Sequence, residues 1–301
     1  MKIIDSSFKE YPDTNNSFND IYNQTIDFLK TRITDEQLLN QIIENSDHSL
    51  IQLTDGKTYT ILAEGKLRTN NYKNSASAFK TNMAISVNDK ELSIIPGVAL
   101  RPNYNKHQLV HEQLHVLSSN QHNYFDENEI VYTKVGTKID YYDKTLNDYN
   151  MEGNPSSDGL NEGITEYLAS VITNEYTGSY PGYVAVASIL MSCNNDLLNA
   201  YFSSDPKDLE HFYDDLEQCQ SVITRNDLCK LNSNEMNDDE LLKIIVGGVK
   251  YNEAYDNQID IIGISNYLDK FYMLDSGSWQ DLIISTLSKY EEKETVTPMV
   301  K

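Results

Sequence analysis

A chain of 301 residues can bury a sizeable core as one large domain or two lobes, and 39% hydrophobic content with 21 tyrosines marks it as folded rather than disordered. Its 24 Lys and Arg stand against 46 Asp and Glu, a net charge of −22. That surface repels phosphate backbones and anionic lipid, which excludes nucleic acid and membrane as partners. It either attracts cationic peptides or serves solubility alone.

The pattern over residues 15–47 predicts two helices. Phe18, Ile21, Tyr22, Ile26 and Leu29 recur at helical spacing in the first. Thr34-Asp35-Glu36-Gln37 opens the second, with Gln37 at the capping-box position and Leu38, Leu39, Ile42 and Ile43 as its stripe. From 49 to 100 the period shortens to that of strands. Leu50–Leu53, Tyr59–Leu62, Met83–Val87 and Leu92–Ile95 are β-type runs, and Asp55-Gly56-Lys57 and Asn88-Asp89-Lys90 suit hairpin turns. Leu67–Ala78 is polar and reads as a loop.

A helix is predicted over His107–Leu117, with Asn103 or Asn105 available as its cap. Beyond it, Glu129–Tyr142 alternates and turns near Gly136, a β-ribbon within an insertion spanning 118–158. An insertion of this length is either a lid or specificity loop beside a site, or a plain surface hairpin. Helical patterns then follow over Leu160–Glu175, Tyr183–Ser192, Asn195–Phe202, Leu209–Ile223, Asp238–Val249, Ile259–Met273 and Trp279–Tyr290. The last residues, Thr295–Lys301, read as a disordered tail. The expected fold class is α+β. A small, mostly antiparallel sheet forms an N-lobe (1–103), two further helices joined by the insertion and a helical C-lobe follow (104–294), and the tail comes last (295–301).

The chemistry is concentrated in His111-Glu112-Gln113-Leu114-His115, an H-E-x-x-H pattern. Four residues apart on a helix, two imidazoles share one face and can ligate one Zn²⁺, while the Glu can reach a water on the metal. A catalytic zinc site needs a third protein ligand and an open fourth position. Glu162, in Leu160-Asn161-Glu162-Gly163 at the start of the next apolar-periodic helix, is placed to be that ligand. Glu166 lies one turn on and could accept the spare N–H of a ligand histidine.

His111-Glu112-x-x-His115 followed by Asn161-Glu162-Gly163-x-x-Glu166 resembles the gluzincin metallopeptidases, the clan of thermolysin-like enzymes and the related zinc aminopeptidases. The match covers about two helices. It implies a zincin active-site helix between two lobes, Glu162 as third zinc ligand and Glu166 as the brace of a ligand histidine. The stretch between His115 and Glu162 is longer than is usual in the clan. The G-x-M-E-N signature of the aminopeptidases is missing upstream of His111, which favours an endopeptidase.

The expected activity is zinc-dependent hydrolysis of a peptide or protein substrate, with Glu112 as general base. The substrate would be received as an added strand at a sheet edge formed by Met83–Val87 or Leu92–Ile95. Clan members supply an oxyanion donor as a His or Tyr downstream of the ligand Glu. His211 is the first candidate here, with Tyr213, Tyr201 and Tyr183 as rivals. His107 reads as a neighbour of the site, and His48 and His122 as solvated loop residues. The alternative is a zinc-stabilised binding or regulatory protein on a peptidase scaffold; a retained Glu112 speaks against it, because a structural zinc site has no use for a base. Three cysteines without C-x-x-C spacing are expected to be reduced, a Cys219–Cys229 bridge staying open in an exported protein. No stretch reads as a membrane span, and Met1–Glu10 lacks a continuous apolar segment. The expected location is the cytoplasm, and export without a visible signal peptide stays open.

Overall fold

A computed structural model describes residues 2–5, 17–47, 50–53, 78–87, 91–100, 104–119, 124–125, 130–143, 148–150, 158–220, 222–232 and 237–296. Helices hold most of these residues, and the strands form two four-stranded sheets. The predicted run Tyr59–Leu62, the turns at 55–57 and 88–90, and His48 and His122 lie outside the described residues.

The first sheet has the order β1(Lys2–Asp5), β2(Leu50–Leu53), β4(Glu91–Leu100), β3(Ala78–Val87). It corrects the expectation of a mostly antiparallel N-terminal sheet: β1 pairs parallel with β2 and β2 parallel with β4, and only β3 runs against β4. The cause is a strand the periodicity did not reveal, Lys2–Asp5, and what separates it from β2. Helices α1(Ser17–Arg32) and α2(Glu36–Asp47) stand between them, and a crossover of that length returns the chain parallel where a tight turn would reverse it. The β3–β4 hairpin is as expected, with Val87 opposite Glu91 and Met83 opposite Ile95. Among the described residues β3 is an edge strand and β4 is interior, so of the two candidates Met83–Val87 is the one at a sheet edge.

Helix α3(Lys106–Leu117) follows the sheet and packs on it. Leu109 and Val116 close a core with Phe18 of α1 and with Val98 and Leu100 of β4, against which Ile21 and Tyr104 also rest. The second sheet, β5(Tyr124–Phe125), β6(Ile130–Val135), β7(Lys138–Asp143) and β8(Asp148–Asn150), is antiparallel throughout. Its central ribbon turns at Gly136, whose φ of 60° supplies the left-handed first position of a two-residue hairpin.

The remaining elements are α4(Asp158–Thr173), α5(Pro181–Cys193), α6(Asp196–Phe202), α7(Pro206–Cys219), α8(Arg225–Cys229), α9(Asp238–Ala254), α10(Ile261–Tyr272) and α11(Ser278–Val296). The short α8 was hidden within a polar stretch, and α11 carries helix through Thr295 and Val296, which the sequence assigned to the tail. The second helix is capped by Asp35, whose Oδ1 accepts from the Gln37 and Leu38 amides at 2.8 and 3.2 Å, rather than by a Thr34–Gln37 box.

Two compact units result. One comprises residues 1–154, 168–176 and 198–206; the other comprises 155–167, 177–197 and 207–301. The first unit holds the sheet, α3 packed on it and the ribbon together within residues 1–154. Within the first unit, Lys134 of β6 is fully buried, and its ammonium donates to Ala200 O at 2.7 Å, Ser203 O at 2.7 Å and Tyr201 O at 3.3 Å. A cation at the end of α6 satisfies carbonyls that the helix itself leaves open. Within the second, α5 and α9 pack closely enough that Asn252 bridges them, donating to Ile189 O at 2.9 Å and to Gly248 O at 2.8 Å. Among the described residues, no helix is long and apolar enough to cross a membrane.

Candidate metal centre

Helix α3 starts where a capping box fixes it: Asn105 accepts from the Gln108 amide at 2.8 Å, and the Gln108 side chain returns to the Asn105 amide at 3.0 Å. Asn105, not Asn103, is therefore the cap. The far end is as well tied. The Ser119 hydroxyl donates to His115 O at 2.5 Å, and buried Asn45 of α2 donates to Leu117 O and Ser119 O at 3.1 and 2.8 Å. Gly136 of the ribbon turn donates its amide to Ser118 O at 3.1 Å. Both ends being fixed, the histidines between them sit on a rigid rod.

On that rod His111 and His115 stand one turn apart, ring centroids 5.0 Å from each other and planes at 76°. His115 is buried, whereas His111 and Glu112 are half-buried. Glu162 of α4 is half-buried as well. One ligand atom from each of His111, His115 and Glu162 lies within 4.8 Å of the others. Two imidazole nitrogens and a carboxylate oxygen are a donor set suited to a divalent ion of intermediate softness. Donors tetrahedral about such an ion stand about 3.4 Å apart, given bonds of about 2.0–2.2 Å. With its ligand atoms within 4.8 Å of one another, the group could hold a metal ion.

Glu162 stands between two glycines of α4 to which the sequence reading assigned no packing role. Gly159 and Gly163 lie four apart on one face of α4. A Cβ on Gly159 would stand 2.0 Å from Leu231 O, and one on Gly163 would stand 2.5 Å from Tyr183 O. The helix is thus pressed backbone to backbone against its neighbours on the side next to Glu162. A Gly-x-x-x-Gly spacing in an apolar-periodic helix was the available signal for it.

Glu166, one turn after Glu162, is buried, and its Oε1 accepts the Thr177 hydroxyl. Thr177 follows α4 in the segment leading to α5, and nothing in its local sequence pointed to this role. His107 is buried too, with Nδ1 3.1 Å from Thr173 Oγ1. The Thr173 hydroxyl already donates its one proton to Ala169 O at 2.7 Å. It therefore accepts from His107, which places a proton on Nδ1 of that ring. His107 stands outside the group of three, as expected of a neighbour.

The oxyanion-donor candidates fare differently. His211 is exposed on α7, on the face opposite buried Leu209, Phe212 and Leu216, and is not brought into the group. The alternation that put it on α7 did not say which way it would face. Tyr213 and Tyr201 are buried, and burial drives the Tyr213 phenol strongly upward in pKa, opposed by the Arg225 guanidinium 5.0 Å over its ring. Tyr183 is half-buried, and burial raises its phenol as well. All three cysteines are free and half-buried, so Cys219 and Cys229 are unbridged.

No protein-family model, no curated protein and no solved structure matches the chain.

Proposed function

We propose that this protein is a zinc-dependent peptidase, an endopeptidase acting on a peptide or protein substrate. The observation that carries this reading is the gathering of His111, His115 and Glu162 within 4.8 Å, with Glu112 next to the first ligand on the same capped helix. The resemblance of the two motifs to the gluzincin metallopeptidases supports it. His111, His115 and Glu162 would hold the zinc. When bound in an open three-ligand site, the ion polarises a carbonyl and makes water acidic near neutral pH.

Everything else falls to the chain's own groups. Glu112 takes a proton from the attacking water as its oxygen bonds to the scissile carbonyl carbon. The same carboxyl then gives the proton to the amine that leaves. Half-burial suits both tasks, since the carboxylate stays reachable by water yet is partly screened from it. Glu166 is buried and accepts the Thr177 hydroxyl; on this reading its carboxylate would brace a ligand histidine, as the resemblance implies. The charge of −22 favours a peptide over a polyanion, and a cytoplasmic location fits the reduced cysteines.

The test is metal content and turnover on one preparation. Purified protein should carry one zinc per chain and cleave a random peptide library, lose cleavage to a chelator, and regain it on zinc addition. Glu112→Gln should keep the zinc and lose cleavage by at least about a hundredfold, in line with removal of a general base. Zinc binding without any cleavage would point to a non-catalytic zinc protein. Full activity in Glu112→Gln would remove Glu112 from the mechanism.

A further inference from the structure

The turn that carries Glu162 borders a cluster of tyrosines. Gly163 lies against the backbone of Tyr183, whose Cβ is 2.9 Å from where a Cβ on Gly163 would stand. The Tyr183 ring stacks on Tyr180, centroids 5.8 Å apart and planes within 8°. Tyr180 opens α5 with a left-handed backbone (φ 51°, ψ 47°), and 45% of its surface is exposed. A bulky residue rarely takes that conformation, and doing so holds the ring at the surface instead of letting it fold into the core. Tyr272, at the end of α10, reaches the same place: its hydroxyl is 2.9 Å from where a Cβ on Gly182 would stand, and 38% of it is exposed. Its ring leans on buried Trp279, centroids 5.9 Å apart.

Three rings so arranged offer π faces, which are electron-rich and attract cations. Burial raises the phenols of Tyr183 and Tyr272, and the carboxylate of Asp238 adds to the effect at Tyr272, so these two stay neutral at physiological pH. That same Asp238, exposed at the first position of α9, supplies a negative charge near Tyr272. An aromatic surface flanked by a carboxylate, on a chain of net charge −22, is complementary to a basic side chain rather than to an acidic or plainly aliphatic one.

We propose that Tyr180, Tyr183 and Tyr272 receive a Lys or Arg side chain of the peptide substrate, beside the helical turn that carries Glu162. This rests on the peptidase reading and adds the substrate class to it. These tyrosines are specificity residues: they act on how the peptide is held, leaving bond cleavage to the metal site.

The experiment uses the full zinc-loaded chain. Cleavage of a random peptide library, mapped by mass spectrometry, should show Lys or Arg enriched at one fixed position within about three residues of the cut. For the best peptide, Tyr180→Leu should raise KM about three- to tenfold while Tyr180→Phe leaves it near the parent value, because the ring and not the hydroxyl holds the cation. Replacing the basic residue of that peptide by norleucine should raise KM for the parent but add little for Tyr180→Leu, the coupling expected of two groups in contact. Zinc content serves as the control for folding. Cleavage without basic preference, or an unchanged KM in Tyr180→Leu, overturns this inference and leaves the peptidase reading standing. A library left uncut by the parent protein defeats both.

Discussion

Lys134 reaches the carbonyl oxygen of Ser203 at 2.7 Å across 69 residues of sequence, from the ribbon of the insertion to the end of α6. A fully buried ammonium with a second carbonyl, that of Ala200, at 2.7 Å is a fixed strut. This bond ties the β6 strand of the ribbon to the end of α6. Lys134→Met keeps most of the apolar stem but leaves these carbonyls without their donor. It should cost about 2–4 kcal/mol, the range for losing buried hydrogen bonds to a charged group. Thermal unfolding checks this; a midpoint within a degree of the parent's would show that the strut carries no stability.

Gly163→Ala tests the close approach beside Glu162. A methyl there would meet Tyr183 O at 2.5 Å, and the backbone on either side must move to admit it. Overpacking of this kind costs about 1–3 kcal/mol, outweighing the gain of about 1 kcal/mol that Ala brings to a helix interior. Because the displaced turn carries Glu162, zinc affinity should fall along with the melting temperature. Loss of stability with zinc affinity intact would show that the packing of α4 does not govern its ligand.

Three substitutions separate ligand from brace. Glu162→Ala should leave the purified protein without stoichiometric zinc. Glu166→Ala should weaken zinc by about 10–100-fold, as removal of a group that orients a metal ligand does. Thr177→Val removes only the hydroxyl that Glu166 accepts and should weaken zinc less than Glu166→Ala does. Competitive titration with a zinc-binding dye measures all three. Zinc retained one to one by Glu162→Ala would refute the ligand role, and equal affinity in Glu166→Ala and the parent would refute the brace.

Cys193 and Cys229 should be slow to react. Burial pushes the Cys193 thiol up to about 11, helped by Asp215, Cys219 and Asp196, and burial pushes Cys229 up to about 11 against the lowering effect of Arg225. A thiol three units above the working pH is only about one part in a thousand thiolate, the form that reacts. Alkylation of these two residues in the native protein at pH 8 should be slow and should rise about tenfold per pH unit up to pH 10, becoming fast on unfolding. Labelling at the rate of an exposed cysteine at pH 8 would contradict the burial of these side chains.

What the sequence determined by itself was whatever depends on near neighbours along the chain. His111 and His115 share a face because a helix repeats every 3.6 residues. Leu109 and Val116 turn inward because they are apolar at that spacing, and Gly136 marks the ribbon turn because few other residues tolerate its φ of 60°. The tertiary structure alone decided what depends on chain segments meeting. It made β1 and β2 parallel through two intervening helices, set Gly163 against Tyr183 and turned His211 outward. It also gave Glu166 to Thr177 and brought Glu162 within 4.8 Å of two imidazoles that lie 47 and 51 residues before it. Periodicity records which face of a helix is apolar, whereas the partner that face finds is set by the packing of the whole core.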